Sequence, residues 1–297
     1  MSVDINALII FCEGPHDSAY VRMVLKKVMG FSAVSLKFSE MPSPFHKLFE
    51  TAVTTHAAQD MSLDMAHKFF LPDTVLRKGN DFIFLFNSGG KAQYDKVGGL
   101  LTSYIPVLGE AETLAHGTNE TTQSVQYLFL YDADADGLEA TIGSLKLSLG
   151  TINGEVFIDD NWLSSTSDFG KISNDKAVFV WGNKPEQGTL EDILYPIFEF
   201  DGKNKDLINK ASDTITDCFD WEIEHCDLVK SIAENGKLKK AVLTTVGQRK
   251  KPGSSFNVIL EQSGFVSQEA LNSSKITAEF VGFLNEFLRT NKSKGPE

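Results

Sequence analysis

Short runs of consecutive apolar residues predict the β-strands of this chain. Four are strong and one is weaker: Ala7–Cys12, Phe82–Phe86, Tyr127–Tyr131, Ala177–Trp181 and, more weakly, Ala33–Phe38. Apolar character at every position, rather than at alternate positions, is typical of strands covered on both faces. Helix-length segments separate the runs: Ser18–Met29, Ala92–Tyr104 and Leu138–Leu149. This alternation predicts an α/β fold with a mainly parallel sheet flanked by helices.

Two regions depart from the alternation. Residues 40–80 carry Pro42, Pro44 and Pro72 around helical stretches, which predicts a helical insertion. From residue 201 onward the pattern is helical, with candidates at Lys205–Cys226, Leu228–Val246 and Glu269–Thr290. We therefore predict an α/β domain over residues 1–200, with an insertion at about 40–80, and a mostly helical region over residues 201–297.

Charge and cysteine content narrow the function classes. The chain has 28 Lys and Arg against 40 Asp and Glu, a net charge of −12, which argues against coating by nucleic acid through charge alone. Three cysteines without a C-x-x-C pair (Cys12, Cys218 and Cys226) suit a reducing compartment. No apolar run approaches the roughly 20 residues of a membrane span, and the start does not resemble a signal peptide. We expect a cytoplasmic protein without a membrane contact.

The first strand ends at an acidic turn. In parallel sheets ligands gather at the carboxyl ends of the strands, so the residues that follow each strand are the candidates for chemistry. Here Glu13 follows the strand, Gly14 allows a close turn, and Asp17 stands at the start of the next helix. Asp17 is either a helix cap or part of a ligand site. For the adjacent His16 a local turn role is the stronger interpretation.

Three aspartates follow the third strong strand at alternate positions: Asp132, Asp134 and Asp136. Carboxylates held together raise one another's pKa, and a divalent cation removes that cost. Oxygen ligands favour Mg²⁺, Mn²⁺ or Ca²⁺ over zinc. The alternative is a solvated acidic turn. An EF-hand loop is excluded because its twelfth position, which should be Glu, is Gly143, and because the preceding run is β-like rather than helical.

Two further strand ends carry candidate groups. Asn87-Ser88-Gly89-Gly90-Lys91 is not a Walker A loop, because Leu85 and Ala92 stand where Gly and Ser or Thr are required. The loop either binds a phosphate, or positions Lys91 near a metal, or is a tight turn. After the fourth strand, Thr189 and Asp192 fit a capping box, and Glu191 and Asp192 are candidates for a further carboxylate.

Two acidic motifs, taken together, resemble those of the Toprim domain. In the first, a strand ends in Glu-Gly, with Asp three residues beyond the Gly. In the second, a later strand ends in Asp-x-Asp-x-x-Gly. The resemblance covers roughly residues 5–200 and is closest to OLD-like and small uncharacterised bacterial Toprim nucleases. It implies that Glu13 acts as general acid/base or metal ligand and that Asp132 and Asp134 hold Mg²⁺ or Mn²⁺. Asp136 would only support the site.

The implied function is a Mg²⁺-dependent phosphodiesterase, a nuclease acting on DNA or RNA, with anti-phage defence as an analogy. The chain lacks the zinc module of primases, the tyrosine module of topoisomerases and the ATPase domain of OLD nucleases. A partner ATPase or a homo-oligomer therefore remains open. So does the alternative of a non-catalytic Toprim scaffold that binds a metal–nucleotide or a partner protein. Nucleotidyl transfer is a weaker third hypothesis.

A basic segment runs against the acidic average. Residues 230–251 hold seven basic residues against Glu234 alone, a local charge of +6. We predict nucleic-acid contacts from this segment at Lys237, Lys239, Arg249, Lys250 and Lys251. The alternative is a solvated helix face and loop. OLD-like enzymes also use a catalytic lysine after the acidic motifs, for which Lys239 and Lys240 are candidates.

Overall fold

The computed structural model describes residues 3–57, 71–109, 120–219 and 228–290. Its strands are β1 (Val3–Cys12), β2 (Ser32–Val34), β3 (Thr74–Lys78), β4 (Asp81–Asn87), β5 (Glu120–Asp132), β6 (Thr151–Ile152), β7 (Glu155–Val156), β8 (Leu163–Ser164), β9 (Gly170–Ser173) and β10 (Lys176–Trp181). Eight of them form one sheet in the order β2-β3-β4-β1-β5-β10-β9-β8, while β6 and β7 form a separate hairpin. The four central strands β4, β1, β5 and β10 are parallel, and the outer strands are antiparallel.

Helices cover both faces of the sheet. They are α1 (Pro15–Lys27), α2 (Phe45–Ala57), α3 (Tyr94–Gly109), α4 (Gly137–Leu149), α5 (Leu190–Glu199), α6 (Gly202–Phe219), α7 (Leu228–Gln248), α8 (Phe256–Gln262), α9 (Gln268–Ser273) and α10 (Lys275–Thr290). Side chains of a strand alternate between faces, so Leu128 and Leu130 of β5 pack with α1, α5 and the C-terminal helices. Phe129 and Tyr131 pack with α2, α3 and α4 on the other face.

The α/β class and the mainly parallel sheet predicted from the apolar runs are confirmed. The four strong strands are found with small shifts in their bounds, while the weak run Ala33–Phe38 is reduced to Ser32–Val34. The three central helices are also present, each displaced by a few residues.

Several elements differ from the prediction. The predicted helical insertion contains α2, but its C-terminal part is the sheet strand Thr74–Lys78, and residues 58–70 lie outside the described residues. The antiparallel strands β8 and β9 and the short α8 escaped prediction because they are too short to show a period. The predicted helix Glu269–Thr290 is divided at Ser274, which adopts an extended conformation. The end of the predicted helix Lys205–Cys226 lies outside the described residues.

The C-terminal helices share a hydrophobic core with one face of the sheet. Phe280, Phe283 and Phe287 of α10 are fully buried in the same cluster as Leu8 and Ile10 of β1. The boundary predicted at residue 200 stays a prediction, and across it the two regions pack together. Among the described helices, none is long and apolar enough to span a bilayer.

Candidate active site

The four parallel strands end side by side at one edge of the sheet. Cys12, the last residue of β1, is in register with Asn87 of β4, and Trp181 of β10 is in register with Asp132 of β5. Just beyond the end of β1 the two segments are still hydrogen-bonded, since the Glu13 N–H donates to the Leu130 carbonyl of β5 at 3.0 Å. The segments that follow all four strands therefore meet at this edge.

Five carboxylates from these segments form one electrostatic unit, the acidic cluster: Glu13, Asp17, Asp132, Asp134 and Glu191. Burial raises the pKa of Asp132 well above its usual range, and the charges of the other four members raise it further. Burial likewise raises the pKa of Asp17, with added effects from Glu13 and Glu191. Asp17 and Glu191 are only 7% and 8% exposed. The structure thus brings the predicted Glu13, Asp132 and Asp134 together and adds Asp17 and Glu191 to them.

Backbone amides hold Glu13 and Asp132 in place. The Asp132 N–H donates to Glu13 Oε2 at 3.0 Å, and the Leu190 N–H donates to Asp132 Oδ1 at 2.7 Å. Leu190 is the first residue of α5, so the Asp132 carboxylate lies at the partially positive end of that helix. This contact partly compensates a carboxylate that burial disfavours.

Asp134 lies in a loop that interlocks with the loop after β10. Its φ of 51° is left-handed, a conformation that aspartate tolerates better than most residues. Its backbone N–H and C=O are both bonded to Gly188, each at 2.7 Å. Gly188 has φ +119°, and a Cβ there would lie 2.8 Å from the backbone nitrogen of Asn183. A glycine is therefore required where these two loops cross.

Lys91 reaches the acidic cluster from the loop after β4. Its Nζ lies 2.7 Å from Asp134 Oδ2. The Ser88, Gly89 and Gly90 N–H groups already donate to Cys12 O, Asn87 Oδ1 and Glu13 O, at 2.8, 3.0 and 2.8 Å. Because these amides are engaged, the loop does not present the free N–H groups of a phosphate cradle. Of the interpretations offered by the sequence, the geometry favours the one in which the loop positions Lys91.

Asp192 and Glu191 have different surroundings. Asp192 Oδ2 accepts the Thr189 N–H at 2.8 Å, the carboxylate half of the predicted capping box, and its other oxygen is paired with Lys239. Glu191 instead faces the acidic cluster. Burial raises the pKa of Glu191, whereas the charge of Lys240 lowers it. Asp192 therefore caps α5, and Glu191 is the carboxylate that joins the cluster.

Lys240 also faces His16. Burial lowers the pKa of His16 to about 4, and the charge of Lys240 contributes in the same direction. His16 packs edge-on against Phe256, with ring centroids 5.1 Å apart. The imidazole is therefore neutral at neutral pH. The sequence predicted a local turn role for His16, and in the structure its side chain packs beside the cluster.

The predicted nucleic-acid contacts divide into two groups. Lys239 is paired with Asp192 at the site, while Lys237 is more exposed and paired with Glu234. Arg249 and Lys250 are exposed in the turn after α7. At 1.5 Å per residue the nine positions from Lys240 to Arg249 correspond to about 13 Å along the helix axis. The basic turn therefore lies outside the acidic cluster and directly follows the helix that contributes Lys239 and Lys240 to its surroundings.

Asp136, the third aspartate of the motif, is separated from the cluster. It is exposed and lines a neighbouring cleft together with Glu139, Ser165 and Lys171. The supporting role predicted for Asp136 stays a prediction.

Two tyrosines beside the cluster were missed by the sequence analysis. Tyr94 begins α3 and Tyr131 precedes Asp132, and their rings meet edge to face with centroids 5.4 Å apart. Both are buried, and the charge of Glu13 raises the pKa of each after the larger effect of burial. The sequence carried no signal for them, because each lies inside an apolar or helical run.

The acidic cluster is not arranged as a finished metal centre. Among the described residues, no three carboxylate, imidazole or thiol groups stand in a metal-binding arrangement. Glu13 Oε2 and Asp132 Oδ1 instead accept hydrogen bonds from backbone amides, and Asp134 Oδ2 is paired with Lys91.

Comparisons with known proteins leave the function open. No protein-family model and no curated protein match the chain. A similar solved structure is that of a hypothetical protein from Pyrococcus horikoshii OT3, with 16% sequence identity and a TM-score of 0.47 over 96% of this chain and 99% of that chain. A similarity at this level carries no argument about activity.

Proposed function

We propose that this chain is a Toprim-like, divalent-cation-dependent phosphodiesterase that acts on DNA or RNA. The observation that supports this most is the convergence of Glu13, Asp132 and Asp134 at the carboxyl ends of two adjacent parallel strands. These are the positions that match the acidic motifs of Toprim nucleases. The order of the motifs and the place of both at strand ends agree with that resemblance.

The chemistry of the cluster suits Mg²⁺ or Mn²⁺. Its donors are all carboxylate oxygens, which hard divalent cations prefer. Asp17 Oδ1 is buried and has no hydrogen-bond partner among the described residues, so this oxygen lacks a compensating positive group. Glu13, Asp132 and Asp134 would hold the ion, with Asp17 and Glu191 beside them. A bound cation would neutralise charge on the transferring phosphate.

The side chains in and around the cluster can be assigned roles in phosphodiester cleavage. The raised pKa of Glu13 brings this carboxyl nearer to the pH at which a group can both accept and release a proton, as a general acid/base requires. Lys91 and Lys240 supply positive charge on two sides of the cluster. The exposed Arg249 and Lys250 would contact phosphates of a bound strand away from the reacting one.

A nuclease assay tests the proposal. Purified protein with Mn²⁺ or Mg²⁺ is expected to nick plasmid DNA or cleave RNA, and Glu13→Gln is expected to abolish cleavage while retaining the size and polarity of the side chain. Asp206→Asn, an exposed change on α6, is the matched control and should keep full activity. Cleavage by Glu13→Gln at the wild-type rate would refute the assignment.

One observation favours a second candidate, the non-catalytic Toprim scaffold. Glu13 Oε2, Asp132 Oδ1 and Asp134 Oδ2 each contact a protein donor, so protein groups alone hold these carboxylates in place, which a site that only binds would allow. The scaffold would bind a metal–nucleotide or a partner protein. Calorimetry that shows tight Mg²⁺–nucleotide binding, combined with no cleavage under Mg²⁺, Mn²⁺ or Ca²⁺, would decide for it.

A further inference from the structure

The Tyr94 hydroxyl is buried and has no hydrogen-bond partner within the part of the chain that the structure describes. Tyr94 is 9% exposed, its hydroxyl oxygen is shielded from solvent, and none of the described residues forms a hydrogen bond with it. Leaving such a group unpaired costs about 1–3 kcal/mol, so a buried orphan hydroxyl in a folded protein calls for an explanation. A ligand that supplies the missing partner is one such explanation.

Tyr94 lies close enough to Glu13 and Asp134 of the acidic cluster for their charges to act on its phenol. The charges of Glu13 and Asp134 both act on the phenol, after the larger effect of burial, and keep it protonated. A protonated phenol beside two carboxylates is a hydrogen-bond donor. Tyr94 is three residues beyond Lys91, whose ammonium group is paired with Asp134. The charge of Lys91 also acts on Glu13, so Tyr94 and Lys91 both lie near the same two carboxylates.

An anionic ligand has few donors available on this side. The amides of Ser88, Gly89 and Gly90 are already engaged by protein oxygens. Among the residues that the structure describes, the Lys91 ammonium, with three donor hydrogens, has one acceptor, Asp134, and the Tyr94 hydroxyl has no partner. These two side chains thus retain hydrogen-bonding capacity for an oxygen that approaches Glu13 and Asp134.

We propose that Tyr94 is a positioning residue that, together with Lys91, hydrogen-bonds a phosphate oxygen of the substrate. This inference rests on the proposed phosphodiesterase function and adds a residue that the acidic motifs do not include. Because the hydroxyl is shielded, the phosphate reaches it only after a neighbouring group moves. We expect the Lys91–Asp134 pair to move, because its side chains are partly exposed, at 22% and 43%.

The test compares Tyr94→Phe with Tyr127→Phe. Tyr127 is a buried tyrosine of β5 on the same face of the sheet, but the nearby charge is Asp175 rather than the acidic cluster. Calorimetric titration with inorganic phosphate, in the presence of Mn²⁺, is expected to show affinity reduced on the order of three- to tenfold for Tyr94→Phe, the effect of one hydrogen bond. Tyr127→Phe should bind phosphate like the wild type.

Thermal unfolding separates this role from a structural one. Removing an unpaired hydroxyl should leave the melting temperature unchanged or slightly raised, whereas removing a hydroxyl with a structural partner should lower it by roughly 2 °C or more. Unchanged phosphate affinity in Tyr94→Phe, a lowered melting temperature, or absence of phosphate binding in the wild type would each overturn the inference. Phosphate binding that depends on Tyr94 without any strand cleavage would uphold it while refuting the phosphodiesterase proposal.

Discussion

Replacement of Asp132 by Asn tests whether the acidic cluster is destabilising without a cation. The amide is nearly isosteric, and its Oδ1 can still accept the Leu190 N–H that Asp132 accepts at 2.7 Å. The substitution therefore removes one negative charge among four neighbouring carboxylates without removing the contact at the start of α5. Two like charges about 8 Å apart repel by about 2 kcal/mol at an effective dielectric constant of 20. Allowing for partial protonation and nearby lysines, we expect Asp132→Asn to be more stable than the wild type by about 1–3 kcal/mol at pH 8.

The pH dependence has a definite sign. The folded-state pKa of Asp132 is raised, so the folded protein retains a proton that the unfolded chain loses above its ordinary pKa of about 4. This contribution to stability is fully present below the pKa of the unfolded chain and is lost as the pH rises through the raised pKa of the folded state. The advantage of Asp132→Asn should therefore vanish near pH 4 and grow toward pH 8.

Urea unfolding in EDTA at a series of pH values measures this difference, with Asp206→Asn as the surface control. Addition of Mg²⁺ at 100 times its dissociation constant should stabilise the wild type by about 2.7 kcal/mol and the variant by less. A variant that is less stable than the wild type at pH 8, or a difference that does not change with pH, would refute the reasoning.

Three further changes test other parts of the site. Gly188→Ala should destabilise the protein by about 2 kcal/mol or more in urea unfolding, because φ is +119° and the new Cβ would lie 2.8 Å from backbone atoms. The control is Gly143→Ala in α4, where no atom lies within 4 Å of the new Cβ, and it should be neutral or stabilising. Lys240→Met should raise the pKa of His16 above about 4, although burial should keep it below 6.5; an unchanged NMR titration of the imidazole would contradict the contact. Neutralising Arg249–Lys251 should reduce the slope of log affinity against log salt for duplex DNA by about 2–3, measured by fluorescence anisotropy in the Glu13→Gln background, and an unchanged slope would remove the basic turn from the interface.

The central part of the fold was predictable from local pattern. The strands β1, β4, β5 and β10 are apolar on both sides, and each ends at an abrupt change to polar or glycine residues. By contrast β3 is short and follows closely after Pro72, and its place in the sheet comes from pairing with Phe84 and neighbouring residues of β4. Such pairing joins residues that a window along the sequence does not compare.

The candidate site was predictable where chemistry follows a strand end. Glu13, Asp132 and Asp134 needed only the rule that parallel strands end at one edge. Glu191 remained ambiguous with Asp192, because a capping carboxylate and a cluster carboxylate have the same sequence signature; only the side-chain contacts separate them. Tyr94 carried no signal, since a tyrosine at the start of a helix is ordinarily a packing residue.

We propose above that the acidic cluster binds the divalent cation of a phosphodiesterase. Crystals grown with Mn²⁺ and measured at the manganese absorption edge test it most directly. We expect an anomalous peak in contact with Glu13, Asp132 and Asp134, with the Lys91–Asp134 ion pair opened. A crystal with manganese bound elsewhere, or with no anomalous peak while Lys91 stays on Asp134, would contradict it.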